Sequence, residues 1–272
     1  MADQQINAER RFGGLNRLYG DNSINVLQAA HIIVAGIGGV GSWCAEALAR
    51  SGIGRITLID MDHISESNIN RQLPALGSTL GQAKIEAMRQ RILDINPYCE
   101  VHTIDDFVSA DNIQTVLSYK PDVLIDCTDQ ADAKIAMILA SKRAKIKLYV
   151  CGAAGGKRNP LALKRGDLSQ STHDAMLNKL RARLRKEHHF PRPKSDKKSP
   201  RIPKMGVDVF WVEEQAVMPS AWQTQPPTTR TEAPQGLSCA GYGSSVTVTA
   251  PMGFAVAQAA IDYVLAVAKK TG

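Results

Sequence analysis

The stretch "VAGIGGVGSW", residues 34–43, places Gly36, Gly38, Gly39 and Gly41 between a β-branched apolar run and a segment of helical periodicity. Glycines in that context let the backbone turn tightly and bring its N–H groups, and the start of a helix, against an anion. The chemistry is phosphate binding, and NAD, FAD or ATP would use it equally. Asp60 closes the next apolar run, about 20 residues on, where a ribose hydroxyl is commonly gripped. Arg71 and Lys84 follow, and Asp129 stands just after a later apolar run, in "DCTDQ". A triphosphate carries about four negative charges and travels with Mg²⁺, so its site needs cations and a carboxylate. Taken singly, these residues read as a surface arginine, a surface lysine and a helix N-cap. Their combined spacing favours ATP, with Asp129 as the metal-facing carboxylate.

Positioning these groups requires a sheet whose strands end together. "HIIVAG" (31–36) and "RITLID" (55–60) read as buried strands, and "VGSWCAEALARSG" (40–52) between them as a helix ending at Gly52. Strand, glycine turn, helix and strand make a βαβ unit and a parallel sheet. The alternation continues with a helix over 81–97, a strand over 99–105, a helix over 109–119 opened by a Ser-x-x-Asn cap, and a strand over 122–127. A helix over 132–146 and a strand over 147–152 complete it. The fold class is α/β: a doubly wound, Rossmann-like, mainly parallel sheet with helices on both faces, a basic insertion and a C-terminal helix. Three regions are expected: a nucleotide-binding domain over 1–160, a basic insertion and loop region over 161–245, and a C-terminal helix over 246–272 packing back on the core.

Composition narrows the classes. The 272 residues carry a net charge of +7, and residues 179–204 alone hold eleven Lys/Arg against two acids. Such a run favours an anionic partner, and phosphate contact by Arg181, Arg183, Arg185 and Lys186 is the expectation for nucleic acid. A helix over 171–187 and a proline-rich loop beyond it would carry the run, with a strand over 206–217 and a Pro/Thr-rich loop over 222–236 following. Cys44, Cys99, Cys127, Cys151 and Cys239 are odd in number and contain no C-x-x-C, which argues against a disulfide scaffold and a cysteine zinc site and fits a reducing compartment. The first residues contain no apolar run of the kind a secretory signal uses. "VTVTAPMGFAVAQAAIDYVLAVA" is apolar, but Pro251, Gly253, Gln258 and Asp262 interrupt it, and helical spacing of the rest favours a buried core helix over a membrane span. A cytoplasmic protein is expected.

Together "GIGGVG", "LIDMDHISESNINRQ", "GQAKIEAMRQRILDINP" and "VLIDCTD" resemble the E1-like adenylating enzymes, which include ubiquitin-activating enzymes and the adenylyltransferases of molybdopterin and thiazole synthesis. The resemblance covers about residues 10–155 and implies an ATP–Mg²⁺ site that adenylates a carboxylate. It implies that Asp60 holds ribose, that Asn68, Arg71 and Lys84 surround the phosphates, and that Asp129 faces Mg²⁺. An arginine from the N-terminal segment would complete the site, Arg17 first and Arg11 second. "RRFGGLNRLYG", "NINRQLPALGSTLGQAKIEAM" and "LSCAGYGSSVTVTAPMGF" extend a narrower resemblance, to the tRNA threonylcarbamoyladenosine dehydratases, over nearly the whole chain. That resemblance implies ATP-dependent closure of a hydantoin ring on a modified adenosine beside the anticodon of tRNA. It also implies a homodimer and leaves room for a sulfur-transfer partner. Cys239, between glycine-rich turns, is then either a thioester nucleophile or a packing residue. Two other classes stand beside this one: an adenylyltransferase for a small sulfur-carrier protein, and a nucleotide-binding adaptor or NAD-dependent oxidoreductase.

Overall fold

The computed structural model describes residues 7–193, 202–218 and 239–271. The N-terminal residues form three short helices, α1 (Ala8–Phe12), α2 (Gly14–Tyr19) and α3 (Ser23–Ala29). β1 (His31–Ala35) then runs through the glycine turn into α4 (Gly41–Arg50) and β2 (Arg55–Ile59). The chain continues through α5 (Lys84–Ile95), β3 (Glu100–Ile104), α6 (Ile113–Leu117), β4 (Val123–Asp126), α7 (Ala131–Ala144) and β5 (Lys147–Cys151). β6 (Leu163–Asp167), α8 (Ala175–Glu187), β7 (Asp208–Val212), α9 (Cys239–Tyr242) and α10 (Val246–Thr271) follow.

The strands form one sheet in the order β3-β2-β1-β4-β5-β7-β6. Every neighbouring pair is parallel except β6 with β7, which is antiparallel. Chain order reverses between β1 and β4, so the strand ends part there and leave a crevice. The doubly wound class read from the alternation is the observed one. Successive residues of a strand face opposite layers. On β1, Ile32 and Val34 pack with α4, α5 and α10, whereas Ile33 and Ala35 pack with α6 and α7. A third cluster seats Leu177, Leu180 and Leu184 of α8 against Val209 and Trp211 of β7.

Two departures from the sequence reading bear on the site. β6 and β7 belong to the same sheet as β1–β5, so the boundary placed at residue 160 falls inside that sheet. β6, "LKRGD", has no apolar alternation because it is an edge strand with Lys164 and Arg165 exposed. The helix expected from 109 starts at Ile113. Ser109 and Asn112 still cap each other, with the Ser109 amide donating to Asn112 Oδ1 at 2.9 Å, but one turn lies outside the helix.

Helix α10 is long and apolar enough to cross a membrane, yet 56% of its most apolar stretch is buried inside the protein. It packs on α4 through Gly253, where a Cβ would lie 2.5 Å from the Val40 carbonyl oxygen. The core-helix reading matches that burial.

Candidate nucleotide site

The crevice between β1 and β4 opens into a cavity of about 250 Å³. Gly36, Gly38 and Gly39 line it, together with Asp60, Asn68, Arg71, Lys84 and Asp129. Five side chains therefore meet in one place: Asp60 and Asp129 just beyond the ends of β2 and β4, Asn68 and Arg71 from the connection after β2, and Lys84 from the first turn of α5.

The glycines divide their work. Gly36 has φ +86° and packs its α-carbon against the Cys127–Thr128 peptide, where a Cβ would come within 2.9 Å. Gly38 meets nothing closer than 3.9 Å and faces open cavity. Gly41 is absent from the lining: a Cβ there would stand 1.8 Å from the Gly36 carbonyl oxygen. Its role is to let α4 approach the turn, as the third glycine of such fingerprints does, and not to touch the ligand.

Asp60 is buried and holds the turn. Its Oδ2 accepts from the Ile37 amide at 2.7 Å and its Oδ1 from the Asp62 amide at 2.9 Å. Burial pushes this carboxyl above the ordinary range, opposed by the Lys84 ammonium and by the two amides. Lys84 is 5% exposed, and its Nζ lies 2.7 Å from Asp62 Oδ2 and 4.0 Å from Asp60 Oδ1. Arg71 is half-buried, and its guanidinium donates to the Ser67 carbonyl at 2.8 Å and to Asn70 Oδ1 at 3.1 Å. Its own carbonyl accepts from Trp43 of α4 at 3.0 Å and from Thr249 of α10 at 3.4 Å. Asn68 has a structural task as well, since its Oδ1 accepts from the Ser65 amide at 3.1 Å and closes the turn that carries Arg71.

Asp129 is exposed to the cavity. The other carboxylates of the lining, Asp60, Asp62 and Asp106, each accept hydrogen bonds from protein groups. Asp129 makes none among the described residues, and Gln130 rather than Asp129 occupies the N-cap position of α7. Mg²⁺ bound with a nucleotide needs only one or two protein carboxylates beside the phosphates, and Asp129 fits that requirement.

Sequence reasoning passed over several groups. Lys134 is fully buried on α7 and donates to Asp126 Oδ1 at 3.1 Å and to the Cys151 carbonyl at 2.8 Å, fastening β4 to β5 below the cavity. Gln72 lines the cavity with its amide oxygen unpartnered. On the far wall, Asp174 caps α8 by accepting from Leu177 at 2.9 Å and takes the Ala153 amide at 2.8 Å. Lys157 is buried and donates to the carbonyls of His173 and Glu214. The only sequence signal for these was an Asp before a helical run and lysines inside apolar contexts, which hydropathy alone reads as surface.

Other expected residues sit elsewhere. Arg11 donates to the carbonyls of Asp94 and Ile95 at 3.0 and 2.6 Å and serves as a cation at the carboxyl end of α5. Arg17 is exposed on α2 and does not line the cavity of its own chain. Arg181 is spent on Leu168 and Ser171 carbonyls at 3.0 and 2.8 Å, Arg183 on Glu187 and Asp132, and Arg185 on the Pro191 carbonyl. Lys186 stays exposed. α9 begins at Cys239, whose side chain lies outside the described residues, as do basic residues 194–201 and the loop over 222–236. The chain just after it reaches the site: the Ser244 carbonyl accepts from Asn70 at 2.7 Å and the Gly243 carbonyl from the Gly156 amide at 2.8 Å.

The model of the ThiF family matches residues 13–271. The chain belongs to the ThiF family. Within that family it is 41% identical to the tRNA threonylcarbamoyladenosine dehydratase of Haemophilus influenzae, over 95% of each chain. It is 42% identical to the Escherichia coli protein of the same name, over 97% of this chain and 96% of the other. The crystal structure of the E. coli tRNA N6-threonylcarbamoyladenosine dehydratase in complex with ATP superposes with a TM-score of 0.83 at 39% identity, covering 97% of each chain. The E1-like resemblance and the Rossmann-like sheet are thus both properties of this ThiF-family chain.

Proposed function

We propose that the chain is an ATP-dependent tRNA threonylcarbamoyladenosine dehydratase, closing the threonylcarbamoyl group of the modified adenosine into a hydantoin. One observation carries the choice of substrate. Similarity to the dehydratases runs over 95–97% of the chain, including β6, α8 and β7. Similarity to the E. coli molybdopterin-synthase adenylyltransferase, at 30% identity, stops at 47% of the chain. The sulfur-carrier alternative therefore accounts for less than half of the chain.

The proposed chemistry is adenylation of a carboxylate followed by ring closure. The threonyl carboxylate attacks the α-phosphate of ATP and pyrophosphate departs. A urea nitrogen of the same group attacks the acyl carbonyl, AMP leaves, and the substrate has lost one water in total. Both reacting groups of the second step belong to one molecule, so it gains from proximity and needs no acyl-enzyme. Asp60 fixes the glycine turn and is placed for the ribose. Lys84 and Arg71 offset charge that builds on the phosphates, with Asn68 beside them. Mg²⁺, held by Asp129 with the phosphates, would supply the remaining positive charge. Arg17, exposed on α2, is available to the cavity of a second subunit in the homodimer that the resemblance implies. tRNA phosphates are met by the exposed side of α8, where Lys179 and Lys186 stand two turns apart, and that binding should weaken steeply with salt. These groups suit a cytoplasmic enzyme acting on tRNA.

Arg71→Ala tests the phosphate assignment. Its guanidinium holds only a neighbouring carbonyl and Asn70, so folding should survive and tRNA binding should stay near wild type. Dehydration of tRNA, followed by mass analysis of the modified nucleoside, should fall by about 10²-fold or more. Unchanged turnover would remove Arg71 from the site. Cys239→Ala should keep most of its activity in the same assay. A folded but inactive Cys239→Ala protein would favour a thioester route over direct closure. ATP–pyrophosphate exchange dependent on modified tRNA, and absent with a sulfur-carrier protein, separates the two adenylating readings.

A further inference from the structure

Cys127 and Cys151 stand side by side at the ends of β4 and β5, and their sulfurs are 3.9 Å apart. The parallel register pairs Asp126 with Val150, so the two cysteines are the next residues along each strand. Cys127 is half-buried and lines the nucleotide cavity, whereas Cys151 is buried behind it. We propose that Cys127 and Cys151 form an oxidisable pair in the floor of the nucleotide cavity, a thiol modification site that closes the cavity to ATP when its disulfide forms. The consequence for ATP rests on the nucleotide reading of the cavity; the disulfide itself does not.

Peroxide small enough to enter the cavity reaches the sulfur of Cys127 first. That thiolate attacks one peroxide oxygen, breaking the O–O bond and releasing water after protonation, and leaves a sulfenic acid. The Cys151 sulfur then attacks the sulfenic sulfur and expels a second water. Two S–H bonds are lost, one S–S bond forms, and hydrogen peroxide takes both electrons to give two waters. A disulfide needs its sulfurs about 2.05 Å apart, so the pair must close in from 3.9 Å. Cys127 lies close against the glycine turn. The Gly36 α-carbon rests on its carbonyl group, and a Cβ on Gly41 would already touch its Cβ at 3.2 Å. Drawing Cys127 toward β5 therefore drags the glycine turn on one side and the Thr128–Asp129 corner on the other. The Cys151 contact and burial push the Cys127 thiol well above its ordinary range, so little thiolate is present and oxidation is slow.

The test uses the full chain, with hydrogen peroxide and separately with the azo oxidant diamide, which makes disulfides without oxygenating sulfur. Oxidised protein should lose 2 mass units relative to reduced protein (two hydrogens), and digestion without reductant should yield a peptide linking Cys127 to Cys151. ATP affinity should fall at least about tenfold and return with dithiothreitol, and saturation with ATP beforehand should slow the mass loss. Cys151→Ala should bind ATP normally and keep that affinity through diamide treatment. Absence of the linked peptide, a link from Cys44 instead, or equal loss of ATP affinity in Cys151→Ala would overturn the pair. Failure of the reduced wild-type protein to bind ATP would instead overturn the nucleotide reading, leaving the peptide map to stand or fall separately.

Discussion

Replacing Lys84 with methionine is expected to reduce ATP–pyrophosphate exchange by about 10²–10³-fold, measured as kcat/KM for ATP with modified tRNA present. The size follows from what the ammonium does. It sits almost fully buried between Asp62 at 2.7 Å and Asp60 at 4.0 Å, at the edge of the cavity. Methionine keeps the stem's volume and removes only the charge. Asp60, already pushed upward by burial, then loses the cation that opposes it, and protonates more readily. A protonated Asp60 is a poorer acceptor for the Ile37 amide, so the glycine turn loosens as the phosphates lose their counter-charge. Breaking a buried pair by removing one partner costs about 3–5 kcal/mol in general; here Asp62 is largely exposed and can be rescued by water, which places the stability loss at the low end. Activity within threefold of wild type would show that Lys84 serves the fold and not the nucleotide.

Gly41→Ala should be the most damaging single methyl group in the glycine turn. Its Cβ would lie 1.8 Å from a backbone oxygen, which cannot swing away as a side chain can. Either α4 withdraws from the turn or the turn opens, and overpacking of this kind costs about 1–3 kcal/mol and occasionally more. A drop of several degrees in Tm together with loss of ATP affinity is expected. Gly38→Ala separates the two effects, because the space there is open to 3.9 Å. That variant should keep its Tm and lose ATP affinity, since the added methyl faces the phosphates. The reverse pattern, a stable Gly41→Ala and an unstable Gly38→Ala, would assign the two glycines wrongly.

What was legible in the sequence and what was not divides along a physical line. Asp60 and Asp129 were legible because each follows a strand within three residues, and parallel strands that run together deliver such residues to one edge; Arg71 and Lys84 drew attention as cations downstream of Asp60, and Asn68 only through the family resemblance. The glycine spacing could not tell a ligand-facing glycine from a packing one, because both demand the same absent side chain; only the approach of Gly41 to Gly36 distinguishes them. Basic residues on α8 looked alike as sequence. Arg181 and Arg183 turned inward because carbonyls of the preceding turn and acids on α7 lie within their reach, and no charge count contains that information. β6 went unread because an edge strand needs no apolar alternation. Lys134 and Lys157 are the hardest case, since a buried lysine is recognisable only by the acceptors that surround it.

Lys157 has a further consequence for how the cavity can move. Its ammonium joins the loop after β5 to the carbonyls of His173 and Glu214, and Asp174 joins that same loop to the first turn of α8. Three segments that would otherwise move separately are thereby fastened to one another. If this wall yields when the anticodon nucleoside enters, the three segments should move together rather than one at a time. Hydrogen exchange at the Ala153 and Leu177 amides, both held by Asp174, should accordingly slow in step when tRNA binds.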